Sequence, residues 1–142
     1  MANPTPDHLH IIPTTRDAKS GLALSSRNAY LGPTELERAP ALYAALRAAE
    51  DAWASGANKH KCLKHAEAVL EEARLLGQKD AVSVKPDYIE FFDPSSFQAL
   101  DESTDRSSRG GLPTVLMGAM WVGKTSLIDN LVLDDDGSIV GR

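Results

Sequence analysis

Apolar residues follow two different periods along this chain, and the change falls near residue 78. In the first regime Leu36, Ala39, Tyr43, Leu46, Ala49 and Trp53 recur at intervals of three and four, the spacing of one helix face. Gly32-Pro33 marks a break before them, and Thr34 followed by Glu37 has the form of a capping box. Pro40 lies inside the pattern and lacks an amide donor, so it predicts a kink or the start of a second helical segment. Gly56 supplies a stop. Asn58 can cap a further helix whose apolar face is Cys62 or Leu63, Ala66, Val69, Leu70, Ala73 and Leu76, with Gly77 ending it.

Beyond a linker at 78–86 the pattern turns strand-like. Tyr88, Ile89, Phe91 and Phe92 predict a strand over 87–93. Residues 114–122 and 127–133 read as two more strands, joined by a short turn at 123–126. Between the first and second strands, residues 94–113 are rich in Ser, Asp, Gly and Arg, which predicts a long, exposed and mobile loop. Residues 1–9 read as a disordered lead-in, residues 10–15 as at most one edge strand ended by Pro13, and residues 134–142 as a frayed tail. Helices followed by consecutive strands predict an α+β fold, with two to three helices packed on a small antiparallel sheet of about three strands.

Composition narrows the possibilities. A single cysteine, Cys62, excludes an internal disulfide and reads as a small core residue. The net charge of -5 argues against a general nucleic-acid binder. No run approaches the ~20 apolar residues of a membrane helix, and the amino-terminal residues lack a signal-peptide pattern. The expected compartment is therefore the cytoplasm. His8 and His10 read as exposed residues near the chain end, and Asp134-Asp135-Asp136-Gly137 as a solvated turn that lacks calcium-loop spacing. Asp129 reads as structural.

One stretch has the form of a phosphate-binding loop: Gly118-Ala119-Met120-Trp121-Val122-Gly123-Lys124-Thr125. That chemistry requires a helix directly after the loop, with its N-terminus facing the phosphates. The residues after Thr125 are instead β-branched and apolar. The reading is a β-hairpin turn with an exposed lysine. A nucleotide-binding module built on these residues remains the alternative, together with a non-catalytic interaction domain.

A different segment carries more. Ile12-Pro13-Thr14-Thr15-Arg16, followed by Gly21-Leu22-Ala23-Leu24-Ser25-Ser26-Arg27-Asn28-Ala29-Tyr30-Leu31, resembles the pantothenate synthetase (pantoate–β-alanine ligase) family. Asp87-Tyr88-Ile89-Glu90 and Leu127-Ile128-Asp129-Asn130 are similar to two later pieces of that family, in the same order. The resemblance implies an ATP-dependent ligase that joins pantoate and β-alanine through a pantoyl-adenylate, giving pantothenate, AMP and pyrophosphate. It implies that residues 10–142 are the C-terminal lid domain. The N-terminal nucleotide-binding domain, with its histidine motif, would be absent, so the isolated chain is expected to be inactive.

The resemblance further implies that Thr15, Leu24, Ser25, Ser26 and Arg27 contact ATP, with Arg27 and Ser25 in the catalytic role. The segment would correspond to the mobile phosphate loop of class I aminoacyl-tRNA synthetases. ATP would arrive with Mg2+, whose ligands are not in this chain, and the full-length enzyme would be a homodimer. The chemistry of the residues agrees, because a guanidinium offers a fixed fork of donors to the charge that builds as pyrophosphate leaves. Two departures stand out. Lys19-Ser20-Gly21 is one residue longer than the family's turn, and Ser126 stands where the family has arginine, with Lys124 nearby.

Overall fold

A computed structural model describes residues 31–134. Three helices, α1 (Pro33–Arg38), α2 (Ala41–Ala54) and α3 (Lys59–Lys79), precede three strands, β1 (Val84–Phe92), β2 (Thr114–Val122) and β3 (Thr125–Leu133). The strands form one antiparallel sheet in the order β1-β2-β3. The expected α+β architecture is therefore the one observed. The lead-in at 1–9, the edge strand at 10–15 and the tail beyond Asp134 lie outside the described residues.

Pro40 separates α1 from α2, as its missing donor requires. Gly56 follows α2 with φ +97°, the left-handed conformation that lets the chain leave a helix. Asn58 caps α3, its side-chain oxygen accepting the Lys61 amide at 3.0 Å.

Three helical details differ from the pattern reading. The cap of α1 is not Thr34 with Glu37. Pro33 occupies the first turn, and Glu35 reaches back to accept the Gly32 amide at 2.8 Å. The buried face of α2 is Leu42, Ala45, Leu46, Ala49, Ala52 and Trp53. It excludes Leu36, which is exposed, and Tyr43, which sits at its margin. Half of this face is alanine, and the period picks out Leu46, Ala49 and Trp53 but not Leu42, Ala45 or Ala52. Finally, Gly77 does not end α3. It lies buried inside the helix, which runs on to Lys79, and the left-handed residue that follows is Ala81, at φ +59°.

The core forms between α2–α3 and one face of the sheet. Trp53 stacks on Phe91 with ring centroids 5.2 Å apart, and Leu46, Leu116, Met120 and Val122 close around them. Gly118, midway along β2, has a packing reason for being glycine. A Cβ there would lie 3.0 Å from Leu42 Cδ1 and 3.2 Å from Leu46 Cδ2, so its absence sets how closely α2 approaches the sheet.

The strands also run differently at their ends. β1 begins at Val84, inside the expected linker, and takes in Pro86. An edge strand tolerates that proline, and the register shifts between Pro86 and Tyr88. β3 begins at Thr125, so only Gly123 and Lys124 form the turn.

The excursion at 94–113 is exposed, as expected, and hydrogen bonds tie it to its surroundings at three places. Its start runs back along the outer edge of β1, with the Leu100 amide donating to Phe91 O at 3.0 Å. Its end is tied to its beginning. Arg109 donates to Asp93 Oδ2 at 3.2 Å and to Pro113 O at 2.7 Å. Its middle meets the start of α3, where the Lys59 and His60 amides donate to Thr104 O and Glu102 O. Its serines and aspartates form local turns, such as Asp93 accepting the Ser95 and Ser96 amides.

Candidate functional site

Thr15, Leu24, Ser25, Ser26 and Arg27 lie outside the described residues, as do His8 and His10. What is described is the platform onto which that segment runs. Leu31 is buried in the core, and Gly32 follows at the start of α1. The Glu35 carboxylate ties this entry point to the β2–β3 hairpin. One oxygen accepts the Gly32 amide, and the other sits against the Cα of Gly123. The Gly123 amide donates to Ser83 O at 2.8 Å, so the α3–β1 connection joins the same junction. A cleft of about 490 Å3 opens there, bounded by Glu35, Val82, Ser83, Gly123, Lys124 and Thr125. Gly-Pro-x-Glu at 32–35 is the sequence signal for this junction, the carboxylate standing three residues after the cap.

The phosphate-loop reading of Gly118 to Thr125 is overturned by the hairpin. Residues 118–122 are strand, Lys124 is an exposed turn residue, and Thr125 pairs with Val122 at the start of β3. Both glycines have structural reasons. Gly118 admits α2, and Gly123 takes φ +60° at the first position of a two-residue turn. A strand, not a helix, follows Lys124.

Asp129 is buried, 4% exposed, on the strand position paired with Gly118. It accepts the Asn130 amide at 2.7 Å and has further polar contacts, consistent with a structural role. Cys62 is buried in the helix pair, and desolvation pushes its thiol up to about 11. The neutral thiol is a poor nucleophile, so the core reading stands.

Two polar contacts carry no periodic signal in the sequence. Lys59, 5% exposed, places its ammonium 2.5 Å from Glu90 Oε1 and 2.6 Å from Leu100 O, closing the outer edge of β1. Asp134 accepts the Trp53 indole N–H at 3.1 Å and pairs with Arg106 at 2.8 Å. Asp134 thus stands in a turn with its carboxylate bonded on both oxygens, and residues 135–137 of the expected solvated turn lie outside the described residues. Among the described residues there is no group of three or more His, Cys, Asp or Glu arranged to hold a metal. Nor is any helix there long and apolar enough to cross a membrane.

Comparison with known proteins supplies the rest. The family model for pantoate-beta-alanine ligase matches residues 3–132. A pantothenate synthetase of Hyphomonas neptunium is 40% identical over 118 residues, covering 83% of this chain and 36% of that protein. One of Herpetosiphon aurantiacus is 40% identical over 128 residues, covering 90% and 41%. The crystal structure of the pantothenate synthetase of Thermus thermophilus superposes with a TM-score of 0.64 at 30% identity, covering 84% of this chain and 38% of that one. The chain thus spans about two fifths of the length of these relatives.

Proposed function

The chain belongs to the pantoate–β-alanine ligase family, and we propose that residues 10–142 act as the C-terminal lid domain of such an enzyme. The observation that carries this reading is the family match over residues 3–132, which spans the Ser25-Ser26-Arg27-Asn28 segment together with all three strands.

The reaction has two steps. A carboxylate oxygen of pantoate attacks the α-phosphorus of ATP, and the bond to the β-phosphate bridging oxygen breaks, releasing pyrophosphate. The amine nitrogen of β-alanine then attacks the acyl carbon of the adenylate. AMP leaves with the bonding pair, and the nitrogen loses a proton.

Negative charge builds on the leaving pyrophosphate in the first step. Arg27 answers it with paired donors, while Ser25 and Ser26 add hydroxyl donors. Leu24 and Thr15 pack against the adenine and offer backbone hydrogen bonds. Magnesium enters as part of the ATP complex, bound by groups outside this chain. The N-terminal nucleotide-binding domain completes the pantoate and ATP sites, and the complete enzyme is a cytoplasmic homodimer.

The Gly32–Glu35–Gly123 junction gives the phosphate segment a rigid base. Arg27 lies four residues before Leu31, whose burial fixes where the segment leaves the core.

Pantothenate formation from pantoate, β-alanine and ATP tests the reading. The isolated chain should give no turnover, and covalent joining to the N-terminal part of a family member should give it. Turnover by the isolated chain would sink the lid-domain assignment. An inert fusion whose two halves are both folded would favour an interaction domain.

A further inference from the structure

The sheet is apolar on both faces, although among the described residues helices cover only one. Residues paired across strands share a face. Ile89, Gly118 and Asp129 form one row, and a Cβ on Gly118 would meet Leu42 and Leu46, so that row faces the helices. The rows Tyr88–Ala119–Ile128 and Lys85–Trp121–Ser126 face away from them.

On this outer face Tyr88, Trp121 and Ile128 are 43%, 40% and 52% exposed around a buried Ala119. An antiparallel sheet with a wet face alternates apolar and polar residues along each strand. β2 does not, for it carries no charged, hydroxyl or amide side chain from Val115 to Val122. That is the composition of a strand covered on both sides, and a contiguous exposed apolar patch marks an interaction surface.

We propose that this outer face packs against the nucleotide-binding part of a ligase polypeptide, the part of the relatives' length that this chain does not span. The inference rests on the lid-domain reading for the identity of that occupant. Two observations select it over a second copy of the chain.

The first is size. Three strands of nine residues present about 400 Å2, from ~4.8 Å between strands and ~3.3 Å per residue. A stable dimer buries about 800 Å2 on each partner. Contacts between domains of one polypeptide bury about 600–1,500 Å2 in total, and two faces of this size fall within that range. A covalently joined domain also needs less area, because its effective concentration is on the order of millimolar.

The second is where the polypeptide enters. Gly32 opens α1, and Glu35 joins it to Gly123 at the β2–β3 turn. Trp121 stands two residues before that turn, and Lys85 is paired with it. The chain therefore arrives at the end of the sheet where the exposed apolar patch begins. Lys85 is exposed at the margin of the patch, so the complementary surface is apolar at its centre with a polar rim.

Thiol labelling tests the proposal. Ile128→Cys and Leu75→Cys, introduced singly, report the outer sheet face and the exposed side of α3. Cys62 is buried, and peptide-resolved mass spectrometry separates it from either new thiol. Each variant is labelled with a maleimide as the 142-residue chain and as a covalent fusion to the N-terminal part of the Hyphomonas neptunium synthetase, with ATP and pantoate present.

The thiol at 128 should react at least about tenfold more slowly in the fusion than in the chain alone, while the thiol at 75 reacts equally in both. Tyr88→Cys, a second position on the same face, should behave as 128 does. Equal rates at 128 overturn the proposal, and protection at 75 in place of 128 overturns it in favour of the helix face. A rate at 128 that falls as the chain alone is concentrated overturns it in favour of a second copy. Turnover by the unsubstituted fusion separates this inference from the reading beneath it. An active fusion with 128 open overturns the interface and keeps the lid-domain reading, whereas a folded, inert fusion with 128 protected keeps the interface and overturns that reading.

Discussion

Glu35 and Gly123 meet so closely that a Cβ on Gly123 would fall 2.0 Å from Glu35 Oε2. The contact joins the start of α1 to the β2–β3 turn, and Gly123 is also held at φ +60°. Gly123→Ala therefore carries two penalties. A left-handed alanine costs about 1 kcal/mol, and displacing the Glu35 cap adds about 1 kcal/mol more. Denaturant unfolding should show a loss near the sum. Gly110→Ala, at φ +66° with nothing within 4 Å of its Cβ, should lose only the backbone part. Glu35→Ala alone should lose about 1 kcal/mol, and adding it to Gly123→Ala should cost little more, because the cap is already displaced.

The end of α3 offers the opposite sign. Ala81 holds φ +59°, while Gly77 sits in the helix, where a Cβ would be 2.6 Å from Val82 O. Ala81→Gly should stabilise the chain by about 0.5–1 kcal/mol, since the strain is worth more than the added freedom of the unfolded chain. Gly77→Ala should destabilise it, because the Val82 amide that donates to Gly77 O at 2.7 Å would have to move. Thermal unfolding of the two variants should shift in opposite directions.

Asp134 anchors the end of β3 to the helix layer through the indole of Trp53. Asp134→Ala leaves a buried N–H without its acceptor, at about 1–3 kcal/mol. Asp134→Asn keeps an acceptor oxygen and loses only the charge pairing with half-exposed Arg106, worth under about 1 kcal/mol. Trp53 fluorescence followed through urea unfolding separates the two.

Much of this architecture is legible in the chain because its signals are local. Pro40, Gly56 and Asn58 act within one turn of where they stand, and β2 is a continuous apolar run. The burial of α2 is less legible because Ala45 and Ala52 belong to it, and alanine weighs little in an apolar count. Gly77 and Ala81 mislead for a related reason, since both are set by contact with the returning chain at Val82. The phosphate-loop pattern misleads because two glycines with unrelated tasks, packing at 118 and turning at 123, fall at the spacing of a known motif. Lys59 with Glu90 joins residues 31 positions apart and has no periodic trace. The candidate site is legible only through family resemblance, because a Ser-Ser-Arg-Asn stretch by itself is an ordinary turn.

Acid stability should carry the signature of Asp93. Partial burial pushes its carboxyl up, but the Ser95 and Ser96 amides and Arg109 outweigh that and hold it below its ordinary value of 3.8. The unfolded chain thus binds the proton more readily. Stability is present above about pH 4 and is lost as pH falls through the lower folded value. Asp93→Asn should flatten this acid limb and leave the neutral-pH slope unchanged. Urea midpoints measured between about pH 2 and 6 span the window. An unaltered acid limb would assign the effect to other carboxylates.

The hairpin and the Ser25-Ser26-Arg27-Asn28 segment make opposite claims on ATP, and paired substitutions decide between them. Lys124 is exposed on a two-residue turn with strand on either side, so Lys124→Ala should leave the KM for ATP and kcat within about twofold in a catalytically complete fusion. Arg27→Ala should lower kcat by about 10²–10³, the loss expected when a donor to developing charge is removed. Arg27→Lys should recover only part, since an ammonium keeps the charge but not the planar pair of donors. The two steps separate the roles further. Adenylate formation, read as pyrophosphate release, should fall with Arg27→Ala, while transfer from supplied pantoyl-adenylate to β-alanine should be nearly unaffected. An equal effect on both steps would make Arg27 a general binding group for the adenosine half and not a group that answers the leaving pyrophosphate.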